Sequence, residues 1–574
     1  MRYLKLCFLG FLKIIFLHSC TNNLDLLPQD QINNEQYWAN PTDLTFYVNQ
    51  FYTRFPVNSG YFTSQFWADI NSDDMIPGTF DARLGGLNTI TTNNGSWNFA
   101  DIRSVNFGLE NYHRIEAPFD AIKSGVGELK FFKAYFYFNL VKRYGDVPWL
   151  SKTLNIDSEE LYHPRTDRSV VIDSILQDLD IAIAYLPAKA QAAANRLNKE
   201  CALLFKSRVA LYEGSWHKYH ANTEFAAEEN ESVRYFQVAA AAAGDLIGMN
   251  TMSLYQPANH LDYFGELFGN TDLSSNPEIL LWKKHDANLG MALNIQGALY
   301  QGGDRGLSRD LVESFLCTDG QPIAVSSLYQ GDATLTSIVA DRDPRLAQSF
   351  WVPGVPYAYT NGVISQYFTL PWIDRTGENR CTSGYQLVKG RTVNRQLGMG
   401  DQETASIIFR YAEALLNYAE AKAELGQLTQ DDADISINQL RDRVQMPSLD
   451  VTSIVNDPKW MFPEISPLLN EIRRERRVEL ACEGYRYDDL QRWAAMKHLV
   501  NKRPRGFKFR QADFPNLIVG ANIFVDGDGY LDPYQKSLPG GYKFDLGRDY
   551  LFAVPMLEIT LNPTILTQNP GWEL

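Results

Sequence analysis

Residues 127–144, GELKFFKAYFYFNLVKRY, limit what this chain can fold into more than any other stretch. Leu129, Phe132, Phe136, Leu140 and Tyr144 recur at steps of three and four, the spacing of one helical face, and Phe131, Tyr135 and Phe138 fill the flanks. A helix that is apolar over most of its circumference is stable only when other elements enclose it, so the chain must build a multi-helix core around this segment. Gly145 is placed to act as the C′ residue, and Pro148 prevents continuation. Residues 169–186 repeat the pattern through Ile172, Ile175, Leu179 and Ile183, with Ser169 as N-cap and Pro187 as stop. Asn198 caps a helix that runs to about Tyr212, residues 232–247 form an alanine-rich helix, and 405–426, 432–444 and 466–496 supply three more. Ala202, Ala210, Ala412, Ala419 and Ala423 on the inner faces permit close approach, as in tetratricopeptide-like helix pairs, although no strict 34-residue period is present.

Between the helices the chemistry changes. Segments 55–100, 250–404 and 503–550 are rich in Gly, Pro, Asn, Asp and aromatics and lack helical period, so they read as long ordered loops with short strands. Loops of this length inside a compact protein are usually functional. The 30 Tyr, 32 Phe and 11 Trp exceed what core packing obviously requires, and the excess concentrates in these loops.

Residues 1–20, MRYLKLCFLGFLKIIFLHSC, have a basic start and an apolar stretch too short to span a bilayer, the shape of a secretory signal. Leu17-His18-Ser19-Cys20 resembles a bacterial lipobox, which makes Cys20 the expected lipidation site and residues 1–19 the expected signal peptide. Stable anchoring requires two or more acyl chains, as a bacterial lipoprotein carries. No later run is long and apolar enough to cross a membrane. Cys201, Cys317, Cys381 and Cys482 show no CxxC spacing, so zinc-ribbon and thioredoxin chemistry are excluded. Their disulfide state is open, although Cys201 and Cys482 read most simply as small buried hydrophobes. The 53 Lys and Arg against 68 Asp and Glu give a net charge of −15. Loss of Arg2, Lys5 and Lys13 with the signal leaves 50 bases against 68 acids, or −18, which argues against nucleic acid as a partner and fits a neutral ligand.

Nine segments, in order, resemble the SusD/RagB family of nutrient-binding outer-membrane lipoproteins. They are Cys20 with LDLLPQDQ (24–31), ELKFFKAYFYFNLVKRYGDVPW (128–149), PRTDRSVVIDSILQDLDIAIAYLP (164–187), RLNKECALLFKSRVALYEGSW (196–216) and NPEILLW (276–282). RDPRL (342–346), FRYAEALLNYAEAKAELG (409–426), RRERRVELACEGYRYDDLQRW (473–493) and LFAVPMLEITLNPTILTQNPGW (551–572) complete the set. The resemblance implies a mostly α-helical SusD-like fold in which four tetratricopeptide-like helix pairs carry long irregular, aromatic-rich loops. Residues 20–574 would form one domain, with a helical part at about 20–250, a loop-rich insertion at about 251–404, and helices and loops at 405–574. It further implies a lipid-anchored protein of the cell outer membrane, facing outward, that captures an oligosaccharide and acts as a lid on a SusC-like TonB-dependent transporter. A peptide ligand is the alternative within the same transport type, and a glycoside hydrolase is an alternative of another class.

The candidate chemistry is that of binding. Sugars offer flat C–H faces that pack on Trp and Tyr rings, while their hydroxyls need planar polar partners. Two loops hold both ingredients: 66–103, with Trp67, Asp73, Asp74, Arg83, Trp97, Asn98 and Asp101, and 351–375, with Trp351, Tyr357, Tyr359, Trp372 and Asp374. Family members that bind glycans draw contacts from corresponding loops, which puts Arg83, Trp97 and Asn98 first and adds Tyr300. Trp149, Trp493 and Trp572 lie in family motifs and read as structural. Glu471, Glu475, Glu479 and Glu483 share a helical stripe with successive carboxylates about 6 Å apart. The arginines on the same helix favour ionised carboxylates, whereas a glycosidase acid needs a raised pKa, so the stripe reads as an ion-paired network. His217 and His220 lack a third ligand for zinc. Asp526, Asp528 and Asp532 in DGDGYLD alternate as in a calcium loop, but Ser537 stands where an EF-hand has glutamate, leaving a possible structural calcium ion as the only cofactor expectation. No catalytic signature is found, so no enzyme activity is expected.

Overall fold

The computed structural model describes residues 37–573 except 59, 61, 62, 94 and 393–401, so the expected signal peptide and Cys20 lie outside the described residues. Helices dominate. The apolar segment becomes the middle and end of α3 in the series α1 (Pro41–Asn49), α2 (Ala100–Asn111), α3 (Phe119–Tyr144), α4 (Arg168–Tyr185), α5 (Lys199–Tyr219) and α6 (Ser232–Gly248). Helix α3 packs on α1, α2 and α4, and Phe131, Phe132, Tyr137 and Val141 are fully enclosed. Gly145 ends α3 with φ 70°, a conformation costly for other residues, and its N–H donates to the Val141 carbonyl. Helix α4 starts one residue earlier than expected, because the side chain of Asp167, and not Ser169, accepts the free N–H at its N-terminus. Asn198 does cap α5, which continues two turns past Tyr212 to Tyr219. Helices α5 and α6 form the most closely packed pair. A Cβ at Gly214 would lie 2.8 Å from the Phe236 ring, so glycine is what allows that approach.

The C-terminal helices are α7 (Tyr411–Glu424), α8 (Ile437–Arg443), α9 (Pro467–Glu479) and α10 (Arg486–Arg492). Two expected helices are corrected here. Residues 406–410 form a strand, because Ser-Ile-Ile-Phe-Arg pairs antiparallel with Ile279–Lys283, and the 466–496 stretch breaks where Cys482 and Gly484 take φ of 64° and 82°. The six strands, β1 (Met75–Pro77), β2 (Ile279–Lys283), β3 (Arg305–Leu307), β4 (Pro356–Thr360), β5 (Val363–Tyr367) and β6 (Ser406–Arg410), form three two-stranded antiparallel ribbons: β1–β3, β2–β6 and β4–β5. Two cores result. One fills the helical scaffold, and the other lies under the loops, from Phe66 and Trp67 to Trp351, Phe368, Phe507 and Leu531.

A buried ionic lattice joins the two cores. Arg410 meets Glu278 at 3.0 Å, Glu479 at 2.7 Å and Glu483 at 2.7 Å, and Arg443 bridges Glu278 and Glu479 at 3.0 and 2.8 Å. Arg345 pairs with Asp343, Glu475 and Glu479 at 2.7, 2.7 and 2.9 Å, and Arg441 holds Glu471 and Glu475 at 2.6 and 2.9 Å. Burial alone would raise the Glu479 carboxyl, but Arg443, Arg410 and Arg345 outweigh it and hold its pKa well below the usual range. Ionised carboxylates so enclosed cannot act as a general acid.

Removing one partner of such a set leaves an uncompensated buried charge. Glu479→Gln is therefore expected to lower unfolding free energy by about 3–5 kcal/mol in urea titrations, and a loss under about 1 kcal/mol would show the lattice to be marginal. The pH dependence has two opposed parts. In Glu213 and Glu420, burial is outweighed by Arg168 and Arg492, which hold the carboxyls at about 2 against 4.5 when free. Their stabilisation is complete above about pH 4.5 and is lost toward pH 2. Asp69 has the opposite sign, since burial and then the Asp74 charge push its carboxyl from 3.8 up to about 7, so its contribution is full below 3.8 and is lost as pH rises through 7. Asp69→Asn should flatten the neutral limb of the stability–pH profile and leave the acid limb in place.

Candidate functional site

The loop after β1 and the ends of α2, α3 and α10 enclose a cavity of about 530 Å³. Asp81 fixes one wall by accepting the N–H groups of Arg83 and Leu84 at 2.9 and 3.1 Å, the side-chain turn that aspartate favours. Arg83 then donates through Nε to the Asp549 carbonyl at 3.0 Å, and its guanidinium lies 3.8 Å from the centre of the Phe552 ring. Asn98 stands exposed at the mouth, its Oδ1 accepting the Ala100 N–H at 2.8 Å at the start of α2. The last turn of α3 contributes Asn139, Lys142 and Arg143, and α10 contributes Tyr487, Asp488 and Gln491. Lys142 pairs with Asp488 at 2.6 Å, and Asp101 pairs with Arg54 at 3.0 Å. Three residues named from the sequence, Arg83, Asn98 and Asp101, thus meet in one cavity with groups that sequence reasoning did not single out.

Several other expectations are corrected by burial. Trp97 lies beside this cavity but is only 8% exposed, edge-on to Tyr144 at 4.8 Å, so it supports the wall and presents no ring face. Trp67 is 2% exposed under the Arg305 guanidinium. Trp351 is 1% exposed, stacked on Phe368 at 5.7 Å, with Nε1 donating to the Leu299 carbonyl at 3.1 Å. Asp73 is enclosed by Arg477 at 2.9 Å and Arg486 at 2.7 Å, which overcome its burial and depress its pKa, so it anchors its loop to α9 and α10. Large rings gain most where water is excluded, so Trp67 and Trp351 enter the second core under the loops and Trp97 the helical one, while the buried Asp73 is held by two arginines that offset its desolvation.

A second group remains near the surface. Tyr300 stacks on the buried Tyr357 with centroids 4.4 Å apart, and Trp372 meets Tyr300 edge-on at 5.8 Å. Tyr357 donates its hydroxyl to the Tyr300 carbonyl, so it buttresses Tyr300 and is itself covered. Tyr300, Tyr359 and Trp372 are half-buried, and the Arg375 guanidinium covers one face of Trp372 at 3.4 Å. Next to them the β4–β5 ribbon exposes Val363 and Tyr367.

The remaining motifs are structural in geometry. Asp532 is held by Arg503 at 2.8 Å, while Asp526 and Asp528 share Arg505 at 3.3 Å, so the three aspartates do not converge as a calcium loop requires. Among the described residues no group of three or more His, Cys, Asp or Glu side chains is placed to hold a metal. His217 lies within α5, 3.2 Å from Glu213, and the His220 ring bonds the Gln491 carbonyl at 2.9 Å, with burial lowering its pKa to about 3. Cys201, Cys317, Cys381 and Cys482 are buried free thiols. Arg143, Tyr487 and Phe552 were missed because nothing local marks them; each lies inside a motif that also serves the fold.

The sequence model described as "SusD family" matches residues 283–572, and one described as "Starch-binding associating with outer membrane" matches 25–211. The chain belongs to the SusD family. Among relatives of this SusD-family chain, SusD-like protein P38 of Formosa agariphila is 24% identical over 510 residues, covering 86% of this chain and 91% of that one. A SusD-like protein of Bacteroides fragilis shares the fold with a TM-score of 0.71 at 22% identity, covering 95% of this chain and all of the other. A SusD-like carbohydrate binding protein, also of Bacteroides fragilis, gives a TM-score of 0.69 at 21% identity over 92% of this chain and 99% of its own. A laminarin binding SusD-like protein gives 0.51 at 18% identity over 93% of this chain and all of its own.

The contrast between the two kinds of aromatic is measurable. Trp351→Ala opens a cavity in the second core and is expected to lower stability by about 3–5 kcal/mol, whereas Trp372→Ala should shift the thermal midpoint little. Equal losses at both positions would contradict the division.

Proposed function

We propose that this SusD-family protein is a non-enzymatic, lipid-anchored outer-membrane protein that binds an oligosaccharide and passes it to a SusC-like TonB-dependent transporter, over which it acts as a lid. The observation that carries the ligand is the 530 Å³ cavity at Arg83 and Asn98, within the usual size range of small-ligand sites and lined by planar polar groups beside Phe552 and Tyr487. Amide and guanidinium groups match sugar hydroxyls. Tyr300, Tyr359 and Trp372 are partly exposed rings of a second candidate patch. The names of the solved relatives that bind carbohydrate and laminarin favour a saccharide over a peptide. A hydrolase is not favoured, because both carboxylates at the cavity, Asp101 and Asp488, are ion-paired. Anchoring rests on Cys20, and no helix among the described residues is long and apolar enough to cross a membrane.

Isothermal titration against a glycan panel tests the reading. At least one oligosaccharide should bind without release of reducing sugar, and Asn98→Ala should weaken it about tenfold, the worth of a hydrogen bond or two. Binding untouched by that substitution would remove this cavity as the site. Affinity capture from the native membrane should recover a TonB-dependent transporter, and its repeated absence would overturn the partner.

A further inference from the structure

The acids of this chain outnumber its bases, and its buried arginines are mostly held by carboxylates: Arg168 by Glu213, Arg208 by Glu413, Arg492 by Glu420 and Asp489. The cavity departs from that pattern. Arg83 is 7% exposed, donates once to a backbone carbonyl, and leaves Nη2 without a hydrogen-bond partner. Arg342, also buried with no carboxylate against it, instead satisfies its guanidinium with carbonyls of Val312, Phe315, Leu316 and Ile338. Arg143, one residue before the end of α3, also has no carboxylate within ion-pair distance among the described residues, and its Nε finds no partner among them. Its guanidinium, like that of Arg83, lies 3.8 Å from the centre of the Phe552 ring, so one ring gathers both cations. Burial is the main cause that lowers the Arg143 pKa, and the Arg83 charge adds to it against the opposing effect of Tyr144. The acids lining the cavity cannot neutralise them, because Asp101 is taken by Arg54 and Asp488 by Lys142.

We propose that the Arg83–Arg143 pair is a receptor for an anionic substituent, a carboxylate or a sulfate ester, so that the saccharide class this protein takes is acidic and not neutral. The proposal rests on this cavity being the saccharide site. Stacking on Phe552 supplies only a weak attraction for each cation, whereas a planar guanidinium answers a carboxylate or sulfate with two parallel N–H donors. Tyr487 and Asn71 line the same space. The overall charge of −15 does not forbid an acidic ligand. At physiological ionic strength, charges beyond about 8 Å are screened, and the cavity lining carries Arg83, Lys142 and Arg143 against Asp101 and Asp488.

The experiment is an array of neutral, uronate-containing and sulfated oligosaccharides, followed by calorimetry on the strongest binder and on its carboxyl-reduced or desulfated counterpart. The expected result is an acidic best binder, a loss of about tenfold or more on neutralising it, and an affinity that falls with added salt. Arg143→Met should abolish the difference between the acidic and neutralised ligands, and Arg143→Lys should restore part of it. Arg143 is half-exposed, and an unchanged thermal midpoint would show both variants folded. The uronate and sulfate arms tell the two anion sources apart. A neutral best binder, or acidic binding equal in wild type and Arg143→Met, would overturn the acidic preference while leaving saccharide capture standing. No binding in any arm would overturn both.

Discussion

Everything in this molecule depends on the burial of guanidinium–carboxylate pairs around Glu479. A single pair taken out of water would cost more than it returns, but here each guanidinium faces two or three carboxylates, Glu479 faces three guanidiniums and Glu278 and Glu475 two each, and the desolvation is shared. The partners come from far apart: Glu278 beside β2, Arg345 in a short turn, Arg410 at the end of β6, Arg441 and Arg443 on α8, and the glutamates on α9. The lattice therefore fixes the loop-rich half against the helical half where neither short strands nor small helices could do so. Arg477 and Arg486 extend it to Asp73 and Asp74, and thereby set the position of the loop that carries Arg83.

The helical half was legible from the sequence because its code is local. The period of Leu129, Phe132, Phe136 and Leu140 needs one dimension of information, and Gly145, Asn198 and Pro187 punctuate it where the structure does. The errors fell where local signals compete. Ser-Ile-Ile-Phe-Arg before α7 fits a helix start as well as a strand, and only the pairing with β2 decides. At 480–485 the chain leaves the helix in spite of good propensity, because Glu483 must turn back to Lys389 and Arg410.

The site was legible in part for the same reason. Aromatic residues in irregular segments look identical on paper whether they lie over a core or inside one. Trp351 and Trp372 flank the same β4–β5 ribbon, and the difference between them is the second hydrophobic core, which no local pattern announces. The glutamate stripe was read correctly as ion-paired because its arginines share its helix. The roles of RDPRL, NPEILLW and FRYAEALL emerge only in three dimensions, where Arg345 and Arg410 meet at Glu479 and Arg410 also holds Glu278. Arg143 shows the converse: a residue at the end of the most predictable helix acquires its meaning from Phe552, more than 400 positions later.

The spacing of the lattice along the chain also has a kinetic side. Contacts between residues 73 and 486, 278 and 410, or 345 and 479 close loops of well over a hundred residues, and such closures are slow because chain entropy is lost before the contact rewards it. Helices α3 to α6 are joined to one another by short-range packing and can assemble while the lattice is still open. The cavity wall likewise closes over a long span, because Phe552, from the C-terminal segment, lies against both Arg83 and Arg143.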